Sequence, residues 1–175
     1  DVFDLEIDEK DPKKLIQIIK SLEPTFGGIN LEDIKAPECF EIEETLKKEM
    51  KIPVMHDDQH GTAIISAAAL LNALELVEKN IEDIRIVVSG AGAAAISCLR
   101  FYVTLGVKKE HIVVCDKEGV IRTDRPGLTG EHLEFATSKN FTTIAEAMPG
   151  ADVFLGLSAG NIISPEMIQS MASDP

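Results

Sequence analysis

Two pairs of neighbouring acids stand where short apolar runs end. Ile52-Pro53-Val54-Met55 stops at His56-Asp57-Asp58-Gln59-His60, and Phe26-Gly27-Gly28-Ile29-Asn30-Leu31 stops at Glu32-Asp33. Adjacent carboxylates repel, so a fold that keeps both must supply a cation, hydrogen-bond donors or bulk water. Carboxylates from two strand ends offer the hard oxygen ligands that Mg²⁺ or Mn²⁺ takes. Spacing alone leaves open the alternative that Glu32, Asp33, Asp57 and Asp58 are solvated loop charges or helix caps. His56 and His60 read as hydrogen-bonding or surface residues before ligands. A third feature is Gly90-Ala91-Gly92-Ala93-Ala94-Ala95, a GxGxxA run. In such a run Gly90 makes the tight turn, Gly92 lets backbone approach a pyrophosphate, and Ala95 lets helix and strand pack closely. The phosphates would sit on the free N–H groups of the helix that follows. Asp116 ends the next apolar run, where an acid can accept from a ribose and favour NAD; Lys117 beside it keeps NADP open.

Chemistry at these positions needs strands and helices to hold it. Asp4–Asp8 alternates polar and apolar and predicts a strand. Asp11-Pro12 predicts a helix start, with an apolar face from Leu15 to Leu22 and a stop at Pro24. Phe26–Leu31 predicts a second strand, Pro37–Met50 a helix, and Ile52–Met55 a strand whose end carries Asp57 and Asp58. A long helix opens at Gly61-Thr62 and runs to about Lys79. Ile84–Val88, the glycine run, a helix to about Leu105 and His111–Cys115 follow in the order of a dinucleotide-binding βαβ unit. Lys117–Gly130 is turn-rich and reads as a surface excursion. Short helices are predicted from Glu131 to about Thr137 and from Ile144 to Met148, then a strand over Asp152–Leu157. Ser164-Pro165 caps a last helix through Met171. This alternation predicts an α/β fold with a doubly wound parallel sheet, in which ligands bind outside the carboxyl ends of the strands.

Bulk properties narrow the class. A net charge of −13 over 175 residues argues against nucleic acid or an anionic membrane as partner. The most apolar stretch, Ala63–Val77, is broken by Ser66, Asn72 and Glu75 and does not read as membrane-spanning. Cys39, Cys98 and Cys115 are too scattered for a disulfide framework or a CxxC metal site; they read as free core thiols in a reducing cytoplasm. The opening at Asp1 and the ending at Asp174-Pro175 suggest a piece of something longer.

Phe26-Gly27-Gly28-Ile29-Asn30-Leu31-Glu32-Asp33, Ala36-Pro37-Glu38-Cys39-Phe40 and Pro53-Val54-Met55-His56-Asp57-Asp58-Gln59-His60-Gly61-Thr62-Ala63 resemble runs of the malic enzymes, closely those of the short bacterial type. The run at Gly90 and Gly156-Leu157-Ser158 add to the resemblance, which covers the chain in order. It implies residues 1–60 as the end of an α/β substrate and metal domain, and 61–175 as a Rossmann-like NAD(P) domain. It further implies Glu32, Asp33 and Asp58 as ligands of Mg²⁺ or Mn²⁺, and Asp57 beside the reacting groups, orienting the general base. Gly90, Ala91, Gly92, Ala93, Ala94, Ala95 and Ser158 would hold the dinucleotide, with Asp116 and Lys117 at the ribose.

The reaction so implied is oxidative decarboxylation of malate to pyruvate and CO₂ with reduction of NAD or NADP, in a homodimer or larger homo-oligomer. The family's acid tyrosine and base lysine would lie upstream of Asp1, and a further cofactor loop beyond Pro175. The chain alone is therefore expected not to turn over, and Tyr102 reads as packing. Two alternatives stand beside this reading: a malolactic enzyme, which releases lactate without net cofactor reduction, and a non-catalytic nucleotide-binding module.

Overall fold

A computed structural model describes residues 1–35, 37–128 and 130–175. Ala36, within one of the matched runs, and Thr129, within the Lys117–Gly130 excursion, lie outside the described residues. The chain divides into two compact units, Asp1–Gly61 and Thr62–Pro175.

In the first unit, helix α1 (Pro12–Ser21) starts as predicted: the Asp11 side chain accepts from the Lys13 and Lys14 N–H groups and Pro12 takes the first helical position. It ends at Ser21, ahead of Pro24. Strands β1 (Ile29–Leu31) and β2 (Val54–His56) pair in parallel, and helix α2 (Glu38–Glu49) lies between them in sequence. Ile16, Ile19, Leu31, Ile42, Leu46, Met50 and Val54 form their common core. The strand expected over Asp4–Asp8 is not formed. Val2, Phe3 and Leu5 are exposed and only Ile7 packs on the core, so the alternation has no neighbouring ladder to pair with. The second strand is also shorter than Phe26–Leu31.

Helix α3 (Asp57–Leu76) begins four residues earlier than the sequence suggests, directly after β2, and crosses the division between the units. Asp57 and Asp58 thus belong to its first turn, where the positive end of the helix dipole favours them.

The second unit holds β3 (Ile86–Ser89), α4 (Ala93–Leu105), β4 (Ile112–Asp116), β5 (Gly119–Val120), α5 (Glu131–Glu134), α6 (Ile144–Ala147), β6 (Val153–Gly156) and α7 (Pro165–Gln169). The sheet order is β5-β4-β3-β6, with β3 parallel to both β4 and β6 and β5 antiparallel at the edge. The Lys117–Gly130 stretch is therefore not purely a surface excursion: it turns back as β5 and buries Val120 and Ile121. The helix expected to reach Thr137 ends at Glu134, because Thr137 bridges to Arg122. Alternate strand residues face two cores. Ile86, Val88, Ile112 and Val114 pack with α3 and α4, while Val87 and Val113 pack with α6 and the residues around α7. Covered on both faces, β3 is buried throughout, as a doubly wound parallel sheet requires.

Candidate functional site

The register of the first unit brings the acid pairs together. Leu31 stands opposite His56, so Glu32-Asp33 and Asp57-Asp58 leave adjacent parallel strands side by side. The Asp33 N–H donates to Asp58 Oδ2 at 3.2 Å. Asp33 adopts φ 55°, in the left-handed region that a side chain enters at a cost. Asp58 Oδ2 lies 3.9 Å from His56 Nε2, and more than half of the Asp58 side chain is in solvent. Glu32 Oε1 accepts from Asn30 Nδ2 at 2.9 Å. The Asp57 carboxylate lies against Gly61, so closely that a Cβ there would stand 2.7 Å from Asp57 Cγ.

Behind this turn lies a network centred on buried Glu43 and His56 that no local pattern announces. Glu43, on an otherwise apolar face of α2, accepts from the His56 N–H at 3.0 Å, from the His60 ring at 2.9 Å and from Lys47 Nζ at 2.7 Å. Burial pushes its pKa up, yet Lys47 and His60 hold it below the ordinary glutamate value. His56 is buried and donates through Nε2 to the Ile34 carbonyl at 3.1 Å. His56 Nδ1 and Gln59 Nε2 are buried without a hydrogen-bond partner among the described residues.

The donor set fits a hard cation in kind, since every acid offers oxygen and the Asp33–Asp58 bond joins the two strand ends. Among the described residues no three His, Cys, Asp or Glu side chains converge into a ready-made cage, and Glu32 is turned toward Asn30. Glu32, Asp33 and Asp58 are the residues that would hold Mg²⁺ or Mn²⁺, with Glu32 the one that must turn.

In the second unit the glycine run joins β3 to α4. Gly90 has φ 113°, and a Cβ there would lie 2.5 Å from the Leu157 carbonyl oxygen, so only glycine fits. Gly92 is the N-cap of α4; among the described residues no side chain caps that end, and a Cβ on Gly92 would meet nothing within 4 Å. The first helical bond runs from the Ile96 N–H to the Gly92 carbonyl, leaving the N–H groups of Ala93, Ala94 and Ala95 without intrahelical partners. Ala95 itself is buried against the core, and Ala91 packs beside it. Open space at an uncapped helix N-terminus suits a phosphate. Ser158 follows the neighbouring strand β6, and its hydroxyl lies 2.7 Å from that of buried Ser89.

Asp116 ends β4 as anticipated, but its carboxylate is not free to receive a ribose. Arg125 grips both oxygens, Nη1 to Oδ1 at 2.9 Å and Nη2 to Oδ2, while the Glu118 N–H donates to Oδ1 at 2.8 Å. The guanidinium, chiefly, holds the Asp116 pKa below the usual carboxylate range. A ribose at this strand end would meet an ion pair, with Lys117 exposed beside it. His132 donates through Nε2 to the Ala91 carbonyl at 3.1 Å, tying α5 to the glycine run. Arg125 and His132 were not legible as site residues, because Arg125 lies in turn-rich sequence, His132 in a short helix, and both meet their partners only in the fold. Tyr102 is packing, buried in α4. All three cysteines are free and buried, and burial pushes the Cys115 thiol up to about 11, away from nucleophilic use.

Comparison with known proteins places these features in one family. The family model described as malic enzyme, NAD binding domain, matches residues 59–174, and that described as malic enzyme, N-terminal domain, matches residues 5–47. An NADP-dependent malic enzyme of Salmonella typhimurium is 56% identical over 177 residues, covering 100% of this chain and 23% of its own length. An NAD-dependent malic enzyme of Rhizobium meliloti is 54% identical over 176 residues with the same coverage. The crystal structure of an NAD-dependent malic enzyme from Thermotoga maritima superposes with a TM-score of 0.86 at 45% identity, over 95% of this chain and 45% of that one. A malic enzyme from Pyrococcus horikoshii gives a TM-score of 0.85 at 39% identity, over 97% and 42%. The chain thus spans about 23% of the length of the curated relatives cited. With profile, sequence and fold all matching across it, this chain belongs to the malic enzyme family.

Proposed function

We propose that the protein carrying this chain oxidatively decarboxylates malate to pyruvate and CO₂, reducing NAD or NADP. The observation that carries the metal-dependent part is the Asp33 N–H bond to Asp58, which holds the acids of two strand ends together. Residues 1–60 are the end of the substrate and metal domain, and residues 61–175 the dinucleotide domain. Glu32, Asp33 and Asp58 hold Mg²⁺ or Mn²⁺. Asp57, folded back on Gly61, orients a base supplied by another part of the protein. Gly90, Gly92, the α4 N–H groups and Ser158 receive the pyrophosphate, and the ribose meets Lys117 and the Asp116–Arg125 ion pair rather than a free Asp116 carboxylate. When bound, the dinucleotide accepts hydride and the cation supplies Lewis acidity. The buried free thiols support a reducing, cytoplasmic setting.

Product analysis of the full-length protein with malate, Mn²⁺ and either dinucleotide tests this. Pyruvate, CO₂ and reduced cofactor in equal amounts are expected. Lactate without net cofactor reduction would replace the reading by a malolactic one, and no malate turnover with either cofactor would overturn it.

A further inference from the structure

Resting on the reading that Asp33 and Asp58 hold a divalent cation, we propose that Glu43 is the positioning residue of the acidic turn. It touches neither acid. Its two donors on the turn are the backbone N–H of His56, which ends β2, and the ring of His60, in the first turn of α3. Asp57 and Asp58 lie between those donors. One carboxylate therefore pins the chain on both sides of the acid pair. The tie continues through His56, whose Nε2 donates to the carbonyl of Ile34, next to Asp33. Both strand ends are thus laced through His56 to Glu43.

The location argues that this is more than a stray buried charge. Glu43 is 6% exposed, on a helix face whose other buried residues are Cys39, Ile42 and Leu46. An apolar side chain would fill that position without any desolvation cost. What the carboxylate adds is three donors gathered on one group, two of them from the turn that bears the acids. Groups that orient ligands without touching the metal commonly control affinity tenfold to a hundredfold.

Mn²⁺ binding to the full-length protein, read from the electron paramagnetic resonance signal of the free ion, tests the proposal. Circular dichroism identifies which variants fold. Glu43→Gln keeps the volume but turns a donor toward His60 and loses the charge that meets Lys47; its affinity for Mn²⁺ should fall about tenfold to a hundredfold. His60→Gln retains an N–H donor for Glu43 and should bind close to wild type, whereas His60→Leu should weaken binding as Glu43→Gln does. A folded Glu43→Gln with wild-type affinity would overturn the proposal. If that variant does not fold, the two His60 variants decide, and equal affinities for them would overturn it. A full-length wild-type protein that binds no Mn²⁺ would remove the metal reading and this inference together, whereas wild-type binding with an indifferent Glu43 would remove the inference alone.

Discussion

At residue 61 the absence of a side chain serves residue 57. The Asp57 carboxylate occupies the space a Cβ would need, and it is the end of a flexible side chain, so it is what gives way in Gly61→Ala. Alanine is worth about 1 kcal/mol over glycine within a helix, so the variant should melt no lower than wild type. The displaced carboxylate, however, should lower kcat/KM for malate in the full-length protein by about a hundredfold, the scale of a misplaced catalytic group. Steady-state kinetics beside a thermal melt would show the two effects diverging. Unchanged kcat/KM would mean that Asp57 has no part in orienting the base.

At the scale of the element, the β3–loop–α4 unit depends on Gly90. Gly90→Ala places a Cβ against the Leu157 carbonyl and forces a side chain into φ 113°. Backbone strain of this kind costs about 1–3 kcal/mol, and the shift it forces would fall on the N-terminal end of α4. Both a lower denaturation midpoint and a weaker dinucleotide complex are expected, read by urea titration and calorimetry. This unit was legible beforehand because its signals are local: a buried β-branched run, glycines and then a helical run. The start of α3 was not, because Asp57, Asp58 and His60 are indifferent helix formers that the dipole and the bond to Glu43 favour in the first turn. Strand β5 was hidden by its brevity within a polar stretch. The acids themselves could be named in advance, but their supports could not. Glu43 reads as one more glutamate in a helix rich in them, and Arg125 meets Asp116 only when the hairpin closes. The Asp4–Asp8 alternation misled for the converse reason, since a local pattern without a partner strand makes no sheet.

For the whole molecule the charge balance sets the pH response. Glu43, Asp116 and Asp152 all have folded pKa values below their ordinary 4.5, 3.8 and 3.8. Asp116 is lowered by Arg125; in Glu43 and Asp152 burial pushes upward but lysine partners and N–H donors prevail. A depressed carboxylate binds fewer protons when folded, so its stabilisation is complete above the unfolded value and is lost as pH falls through the folded one. Falling pH also relieves the repulsion of a chain at −13, which offsets the first protonations. Melting temperature should therefore hold between about pH 7 and 5 and fall steeply below about pH 4. Arg125→Met should flatten that acid limb, and a scan of melting temperature against pH for both proteins would reveal it.

In the proposed function, two strand ends of this chain carry the divalent cation of a malic enzyme. A Mn²⁺ titration of the full-length protein decides this, with Asp58→Asn as the site variant and Glu44→Gln, whose side chain is exposed on α2, as a control that also removes one negative charge. Saturable binding that is lost in Asp58→Asn and kept in Glu44→Gln is the predicted result. Binding that weakens equally in both variants, or persists in Asp58→Asn, would mean that the acids act only as diffuse surface charge and form no metal site.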